Sequence, residues 1–576
     1  MKKNQIIAIV LALILVFFSF AGCGKNNKTS KDSSGNETKG EYKLTGAGGP
    51  DLGGVTLKVG IQPSQYITSY KDNELTKKLE KDCNVKLEFF EFPTDGNDLK
   101  TKLSLMASSG DDMPDIVDVG LDSTSVLEYG SKGLFIPLND YVNNVKMSPN
   151  FAKIPGEDKK AMLTAMTSAD GKIYGHAKYE YETWNLTPYR CYINRKWLDT
   201  LNLKVPKTTD ELANVLRAFV NKDPNGNGKK DEIGVYGMAS GAYGQNTVWA
   251  LMNCFIFSNG VSMQLDENDS SKVIAPWTKD AWREGLQYMK SLYKEGLLSN
   301  SIFVDDDTQF KATLNAETPI VGFVSVGSNG GNWPDNDKNP NFLQMECIEP
   351  LTGPKGISWT PYSSYNPGTI WYITSSCKHS EEAYRLGEYF YNYTITMINR
   401  FGREGYDWTS DPKECAKYTN TNVVNGITDA VTMVYRYGTE QNVWTSNHNR
   451  SWQNAGPRYA SLKMNLGYTD GVTSKKDKFV SDLPSQIPGI INTKYYADRH
   501  PKVTIPALHY TIDEAQSIAT PTTDITTYVN TATAEFITGQ RPLDDSGWKT
   551  YLDEMKGMGL QQWLDAAQAA YNRTLK

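Results

Sequence analysis

Strands and helices alternate along the first globular part of the chain, and this alternation restricts the possible folds more than any other feature. Residues 55–61 alternate apolar and polar side chains as a strand does, and residues 85–90 form a second strand pattern after a helical segment at 73–81. Another helical segment, residues 99–109, leads through a Gly/Pro turn to a third strand at 115–117. Strands that alternate with helices predict the α/β class, with a parallel sheet covered by helices.

The composition limits the class of protein. The chain has 576 residues, which is enough for two or three domains with large cores. Its 39% hydrophobic and 22% charged residues are typical of globular proteins, and its formal net charge of −6 argues against a nucleic-acid-binding surface. Five histidines are scattered without zinc-ligand spacing, which argues against a zinc enzyme.

The start of the chain has the pattern of an export signal. Lys2 and Lys3 precede an apolar run at residues 6–21, which is shorter than the roughly 20 residues that span a bilayer. The junction before Cys23 resembles a bacterial lipobox, although Phe20 replaces the usual aliphatic residue. We expect residues 1–22 to be a signal peptide and Cys23 to carry acyl chains such as palmitate. An ordinary secretory signal followed by a chance cysteine is the alternative.

A polar segment follows the lipobox. Residues 23–50 are rich in Lys, Asn, Ser, Thr and Gly and contain few apolar side chains, so they predict a lipidated, flexible tether. The chain beyond it is then expected to work outside the cytoplasm, held at the outer face of the cell membrane by lipid alone.

Four sequence segments resemble one protein family. They are LMASSGDDMPDIV at residues 105–117, YGSKGLFIPLNDYV at 129–142, DGKIYGHAKYE at 170–180, and FGREGYDW at 401–408, where Phe401 replaces the tyrosine of the family pattern. Together they are similar to extracellular solute-binding proteins of bacterial ABC importers, above all the large lipoproteins of oligosaccharide uptake.

The resemblance implies a periplasmic-binding-protein-like α/β fold, in which two discontinuous lobes joined by a hinge enclose a ligand cleft. It places residues 51–180 plus about 368–430 in an N-terminal lobe. Residues 181–367 plus about 431–576 then form a C-terminal lobe. From about residue 503 the sequence itself is mostly helical, with segments from 514, at 525–538 and at 548–573.

The resemblance also implies a function. A monomeric receptor would capture an oligosaccharide by hinge closure and deliver it unchanged to the membrane subunits of an ABC permease. The sequence contains no GxSxG, HExxH or P-loop motif, so we expect no enzyme activity. An exported carbohydrate-active enzyme remains an alternative, because acidic residues are plentiful. A receptor for peptides, or one that reports to a sensor kinase, is a second alternative.

Residues 223–232 have the pattern of a calcium loop. Oxygen-bearing side chains recur at alternate positions, Gly228 stands where an EF-hand loop turns sharply, and the twelfth position is Gly234 instead of glutamate. The segment is also similar to the calcium loop of alginate-binding receptors. We expect one structural Ca²⁺, with an Asn/Gly-rich surface turn as the alternative. The expected ligands are Asp223, Asn225, Asn227, the carbonyl of Lys229, Asp231 and Glu232.

Aromatic residues are the best candidates for the ligand site. The chain has 33 Tyr and 13 Trp, whose flat rings with a polar edge suit the C–H faces and hydroxyl edges of sugars. Rings in loops are favoured over rings in apolar runs, such as Trp371, which is predicted to lie in the core. The candidate ligand-binding residues are Trp184, Trp249, Trp359, Tyr365, Trp408 and Trp444. Arg190 and Arg403 could pair a carboxylated sugar or form structural ion pairs.

Six cysteines remain after Cys23, at wide spacings and without a CxxC pair. A core of this size does not need disulfides, so buried free thiols are favoured and no pairing is assigned. These residues are Cys83, Cys191, Cys254, Cys347, Cys377 and Cys415.

Overall fold

The computed structural model describes residues 43–109, 113–241, 243–333, 339–418, 429–435, 442–444, 446–461, 463–464 and 495–575. The predicted signal peptide, Cys23 and most of the predicted tether therefore lie outside the described residues. Within the described ranges, no helix combines the length and the apolar character that a membrane crossing requires.

The strands, in chain order, are β1 (Thr56–Ile61), β2 (Lys86–Glu91), β3 (Ile116–Asp118), β4 (Gly175–Glu180), β5 (Arg190–Asn194), β6 (Ile233–Tyr236), β7 (Gln264–Asp266), β8 (Asp269–Ile274), β9 (Val321–Val326), β10 (Met345–Cys347), β11 (Gly368–Ile373), β12 (Trp408–Thr409), β13 (Met433–Val434) and β14 (Arg458–Ala460). The α-helices are Glu74–Cys83, Gly96–Ser109, Ser123–Ser131, Asn139–Val142, Pro149–Ala152, Gly156–Met166, Thr183–Leu186, Arg195–Thr200, Thr209–Asn221, Thr247–Met252, Asp280–Lys294, Asp307–Leu314, Asn329–Asn332, Ser380–Tyr389, Tyr393–Phe401, Pro412–Cys415, Ile512–Thr538, Asp545–Gly557 and Leu560–Thr574. Short 3₁₀ turns lie at Pro276–Thr278, Asn300–Phe303 and Phe342–Gln344.

A six-stranded sheet with the order β14-β4-β11-β3-β1-β2 is the centre of the first lobe. Strand β1 is parallel to β2 and β3, as the alternation of strands and helices predicts. Strand β11 is antiparallel to both of its neighbours, so the sheet is mixed and is not parallel throughout. The reason is that the chain leaves the sheet at the carboxyl end of β4 and returns at the same edge, so β11 must run the opposite way.

A four-stranded sheet with the order β10-β5-β9-β6 is the centre of the second lobe. Strands β5 and β9 are antiparallel, whereas β6 and β9 are parallel. The Asp280–Lys294 helix, the β7–β8 hairpin and the three C-terminal helices pack with this sheet in the main hydrophobic core of the second lobe. Its large side chains include Trp197, Trp282, Phe536 and Trp563.

The first lobe has a separate hydrophobic core, in which Trp371 and Trp452 are fully buried. The burial of Trp371 confirms its prediction as a core residue. The predicted boundary near residue 431 is wrong, because β14 pairs with β4 and Trp452 packs in this core. The chain therefore passes to the second lobe after β14, about 30 residues later than expected from the resemblance.

Candidate binding cleft at the lobe crossings

Three segments carry the chain between the lobes: residues 181–189, residues 348–367, and the connection from β14 to Tyr496, which is already buried in the second lobe and of which only part is described. They meet the first sheet at one edge, where β4 and β14 end and β11 begins. They meet the second sheet at the edge where β5 begins and β9 and β10 end. Loops at the carboxyl ends of strands in both sheets therefore border the crossings, which is where α/β proteins commonly bind ligands.

Tyrosines cluster at the first-lobe side of the crossings. The ring of Tyr365 lies with its centroid 4.9 Å from that of Tyr179 and 5.0 Å from that of Tyr181. The backbone N–H of Glu180 donates to the Tyr365 hydroxyl. Tyr459 packs on Tyr179 at 5.4 Å. The crossing edge therefore carries a group of rings with polar edges, of the kind that suits sugars.

Buried charges lie beneath these rings. The guanidinium of Arg400 donates to both Glu180 and Glu182, and Arg458 also pairs with Glu180. Burial alone would raise the pKa of Glu180, but the cations beside it, Arg400 first, hold that pKa well below its usual range. For Glu182 burial prevails and raises the pKa to about 7, although Arg400 opposes it. The two carboxylates thus differ in their tendency to hold a proton.

A chain of hydrogen bonds leads from this charge cluster to the second lobe. Asn185 Nδ2 donates to Glu182 Oε2 over 2.7 Å, and the hydroxyl of Tyr243 donates to Asn185 Oδ1. Tyr243 lies in the loop after β6 and its side chain is exposed. Sequence reasoning did not select Glu182, Asn185 or Tyr243. The sequence signal that could have indicated them is their position: Glu182 and Asn185 directly follow the predicted end of the first lobe, and Tyr243 lies in a Gly-rich turn.

The predicted aromatic ligand residues separate into two groups. Trp249 packs on Trp282 in the second core, and Trp408 is fully buried with its Nε1 donating to the carbonyl of Gly402. The prediction that these two contact ligand is wrong, because their rings are enclosed by apolar side chains.

The other candidates lie nearer to the crossings. Trp359 and Tyr365 are half-buried on the second crossing segment, and Trp444 is half-buried with the Arg400 guanidinium 5.6 Å from its ring centroid. The indole N–H groups of Trp359 and Trp444 are buried without a hydrogen-bond partner. For these three, contact with ligand stays a prediction. Trp184 belongs to the Thr183–Leu186 helix, and its side chain lies outside the described part of the structure.

The two arginines considered for a carboxylated sugar have structural roles. Arg190 is fully buried and donates to the carbonyls of Thr187 and Gly327. Arg403 is half-exposed, with its Nε 3.7 Å from carboxylate oxygens of both Glu74 and Asp407.

The loop at residues 223–232 is closed by its own oxygen-bearing side chains. Asp223 accepts from the backbone N–H groups of Asn227 and Gly228, and the amides of Asn225 and Asn227 donate to Asp231. Gly226 and Gly228 have positive φ angles of 73°, which a tight loop with inward-facing oxygens requires. Lys229 is exposed.

Glu232 ends this loop in a buried position. Its Oε1 atom has no hydrogen-bond partner, and the residue is only 8% exposed. Burial, with Asp223 and Asp231 nearby, raises the pKa of Glu232. A buried carboxylate oxygen without a donor fits a bound cation at this loop. Across the described residues, no three His, Cys, Asp or Glu side chains form a metal-binding group, so amide and carbonyl oxygens would have to complete the site.

The six cysteines outside the signal region are free thiols, and all but the half-buried Cys377 are buried. The prediction of buried free thiols is therefore confirmed for five of them.

Comparisons with known proteins identify the fold. The chain is 26% identical over 571 residues to the fructooligosaccharide ABC transporter substrate-binding protein FusA of Streptococcus pneumoniae, covering 96% of this chain and 95% of that protein. It is 24% identical to the polygalacturonan/rhamnogalacturonan-binding protein YtcQ of Bacillus subtilis, covering 68% of this chain and 70% of that protein. The structure of S. pneumoniae FusA in complex with kestose superimposes with a TM-score of 0.71 at 22% identity, covering 90% of this chain and 99% of FusA.

The fold is thus periplasmic-binding-protein-like, with two discontinuous α/β lobes, as the sequence resemblance implies. Residues 63–394 match the sequence model of the family described as bacterial extracellular solute-binding proteins. Because this match covers more than half of the chain, the protein belongs to the family of bacterial extracellular solute-binding proteins.

Proposed function

We propose that this protein is the substrate-binding component of an ABC importer and captures an oligosaccharide between its two lobes. The observation that carries the proposal is the aromatic edge at the lobe crossings, where Tyr179, Tyr181 and Tyr365 pack together beside the cleft-facing ends of the strands. Two relatives are named for their ligands, fructooligosaccharide in one case and polygalacturonan/rhamnogalacturonan in the other, which supports a glycan in place of a peptide.

Ligand capture is proposed to occur by hinge closure. The lobes have separate cores and are joined by segments at one edge of each sheet, so bending at these segments can change their separation without disturbing either core. A ligand held by both lobes then stabilises the closed state, because it contacts the second lobe only after closure.

Calorimetry with product analysis tests this function against the enzyme alternative. The chain is titrated with kestose, nystose and oligogalacturonides, and each mixture is chromatographed after overnight incubation. We expect stoichiometric binding of at least one oligosaccharide, recovered at its original chain length. Shortened or rearranged sugar would establish the carbohydrate-active enzyme instead. Binding of a peptide pool without any glycan would establish the peptide receptor.

We also propose one structural Ca²⁺ in the loop at residues 223–232. The support is the unpartnered buried oxygen of Glu232 beside Asp223 and Asp231, and the amide side chains of Asn225 and Asn227 that line the same loop. When bound, the cation would neutralise these carboxylates and fix the passage from the Thr209–Asn221 helix to β6. The carbonyl of Lys229 is its expected backbone ligand.

Adding Ca²⁺ to the chelator-treated protein is expected to raise its melting temperature, since a ligand at 100 times its Kd stabilises the native state by about 2.7 kcal/mol. The Glu232→Gln variant should lose most of this increase. Asp269→Asn, at the exposed first residue of β8, is the matched control and should keep it. An equal melting temperature with and without Ca²⁺ would refute the site.

We further propose that Cys23 is acylated and holds the protein at the outer face of the cell membrane, as a monomer that docks on permease subunits. The family is extracellular, and one relative, 25% identical over 377 residues, is named a lipoprotein. Expression of a Cys23→Ala variant should release the protein from the membrane fraction. Retention of that variant at the membrane would contradict lipid anchoring.

A further inference from the structure

Tyr243 lies at the cleft-facing edge of the second lobe. Strand β6 is parallel to β9, so the loop after β6 and the residue after β9, Gly327, share one edge of the sheet. The crossing segment at residues 181–189 runs along that edge into β5. Tyr243 as a residue is 41% exposed, although one edge of its ring lies against Gly327 and its loop is fixed on two sides.

The backbone of Tyr243 is held in a strained conformation. Its φ angle is +46°, in the left-handed region that costs a non-glycine residue about 1 kcal/mol or more. The N–H of Gly327 donates to the Tyr243 carbonyl over 2.8 Å. A Cβ atom on the next residue, Gly244, would lie 2.2 Å from the carbonyl oxygen of Pro188, so the loop is packed directly on the crossing. Strain of this kind persists where the surroundings enforce it, and it concentrates at binding sites.

The hydroxyl of Tyr243 is fixed from the opposite side. It donates to Asn185, whose amide donates to Glu182, which in turn accepts from Arg400. Arg400 belongs to the Tyr393–Phe401 helix, which packs on β14 of the first lobe. Both ends of the tyrosine are therefore held, while part of the residue stays exposed beside the crossing. This is the arrangement of a preorganised contact surface, since an already ordered ring loses little entropy on binding.

The charges around the ring favour an uncharged ligand. The carboxylate behind Asn185 is that of Glu182. Two buried guanidinium groups belong to the same surroundings and are both engaged: Arg400 by two carboxylates, and Arg190 by backbone carbonyls and by the Tyr243 hydroxyl. Arg190 and Arg400 are also at most 4% exposed. A uronate carboxylate at this position would find no accessible guanidinium fork among them, whereas a neutral sugar can place its C–H face on the ring.

We infer that Tyr243 stacks on an uncharged sugar ring of the captured oligosaccharide, with Asn185 and Glu182 as positioning residues that hold the tyrosine in place. This inference rests on the proposed oligosaccharide-binding function. It names the second-lobe contact and the class of sugar that the contact accepts.

Four variants of the full chain separate stacking from folding. Tyr243→Ala removes the ring, Tyr243→Gly removes the ring and the backbone strain, and Tyr243→Phe keeps the ring but removes the hydroxyl. Tyr293→Ala is the matched control, because Tyr293 is a half-buried tyrosine of the same lobe whose hydroxyl also bonds an asparagine, Asn300. Each is titrated by calorimetry with kestose, with a panel of uncharged tri- and tetrasaccharides, and with trigalacturonate, and melted by calorimetry without sugar.

For the best uncharged sugar, we expect Tyr243→Ala and Tyr243→Gly to weaken binding about tenfold or more, the loss of one well-packed aromatic contact. Tyr243→Phe should stay within about threefold of the original protein, and Tyr293→Ala within about twofold. Tyr243→Gly should melt no lower than Tyr243→Ala, because glycine adopts positive φ freely. The original protein should bind trigalacturonate at least tenfold more weakly than the best uncharged sugar.

Unchanged affinity in Tyr243→Ala and Tyr243→Gly, with binding intact in the original protein, would overturn the inference and leave the proposed function standing. Tighter binding of trigalacturonate than of every uncharged sugar would also overturn it. If the original protein bound none of these glycans, the proposed function and the inference would fall together.

Discussion

Arg400 is the residue on which the charges at the lobe crossings depend. It lies between Glu180, the last residue of β4, and Glu182, on the first crossing segment, and all three are largely removed from water. Removing one partner from such a cluster leaves uncompensated buried charge, which destabilises far more than the intact cluster stabilises.

Replacing Arg400 with methionine is expected to lower the free energy of unfolding by about 3–5 kcal/mol, because two buried carboxylates lose their shared cation. Arg217→Met is the control, since Arg217 and Glu295 form a pair in which both side chains are at least 40% exposed. That change should cost less than about 1 kcal/mol. Urea denaturation measures both, and equal effects would contradict the role of Arg400.

His176 is fully buried between the rings of Tyr384 and Tyr391, at centroid distances of 4.7 and 5.7 Å. Burial lowers its pKa to about 3 from an ordinary value of 6.5. The folded protein therefore holds a neutral ring, while the unfolded chain takes up a proton below pH 6.5. The contribution of His176 to stability is complete above pH 6.5 and is lost as the pH falls from 6.5 toward 3.

The His176→Phe variant is expected to lose less stability on acidification than the original protein. Between pH 7 and pH 5 the difference should reach roughly 2 kcal/mol, since one pKa unit corresponds to 1.36 kcal/mol. Denaturant melts at both pH values give this difference, and the comparison cancels other titrating groups such as His448, whose pKa burial lowers to about 4. Parallel pH profiles for the two proteins would refute it.

Single residues could be predicted where local chemistry decides their position. A threonine at 208 followed three residues later by Glu211 has the pattern of a capping box at the start of the Thr209–Asn221 helix. Thr208 accepts from the N–H of Glu211 as this pattern requires, but the Glu211 carboxylate accepts from the N–H of Lys207 and not from that of Thr208. Burial of a lone tryptophan depends on contacts far along the chain, which is why Trp249 and Trp408 were wrongly assigned to the ligand.

At the scale of elements, the C-terminal helices complete the second core. The Ile512–Thr538 helix contacts the Asp280–Lys294 helix, which is more than 200 residues earlier in the chain. Phe536 is fully buried between Trp548 and Tyr551, at ring-centroid distances of 6.1 and 5.3 Å. The hydrophobic core of this lobe therefore requires the end of the chain.

Phe536→Ala is expected to cost about 3–5 kcal/mol of stability, because a cavity replaces a buried ring. Thr531→Ala, at an exposed position of the same helix, should change stability by no more than about 0.5 kcal/mol. Unfolding of both variants in guanidinium chloride measures these changes in the free energy of unfolding. A decrease of less than about 1 kcal/mol for Phe536→Ala would contradict the packing described.

Helix periodicity predicted these elements but not their ends. The segments from 514 and at 525–538 form one helix, which continues through Pro521 because that residue is buried against the neighbouring Gly559. The predicted helix at 548–573 is interrupted at Gly559, whose φ of +93° is left-handed. Interior proline normally breaks a helix at a cost of about 3 kcal/mol, so only tertiary packing explains its continuation.

For the whole molecule, the two-lobed fold followed from the resemblance, while the course of the chain between the lobes did not. Strand β14 is only three residues long, and it is recognisable as a strand only because it pairs with β4. The two strands are far apart in the sequence: Arg458 of β14 and Glu180 of β4, whose side chains are in contact, are separated by 278 residues. Likewise, the series of hydrogen bonds that leads from Arg400 to Tyr243 joins residues of both lobes and of the first crossing segment. Neither feature has a local sequence signal, because each arises from pairings between distant segments.

The central claim is that the two lobes close on an oligosaccharide by bending at their crossing segments. Small-angle X-ray scattering tests this claim directly. The lipid-free protein is measured alone and with a saturating concentration of a glycan that calorimetry has shown to bind. The radius of gyration and the maximum dimension are predicted to decrease when the glycan is bound. Identical scattering curves at full occupancy would contradict closure.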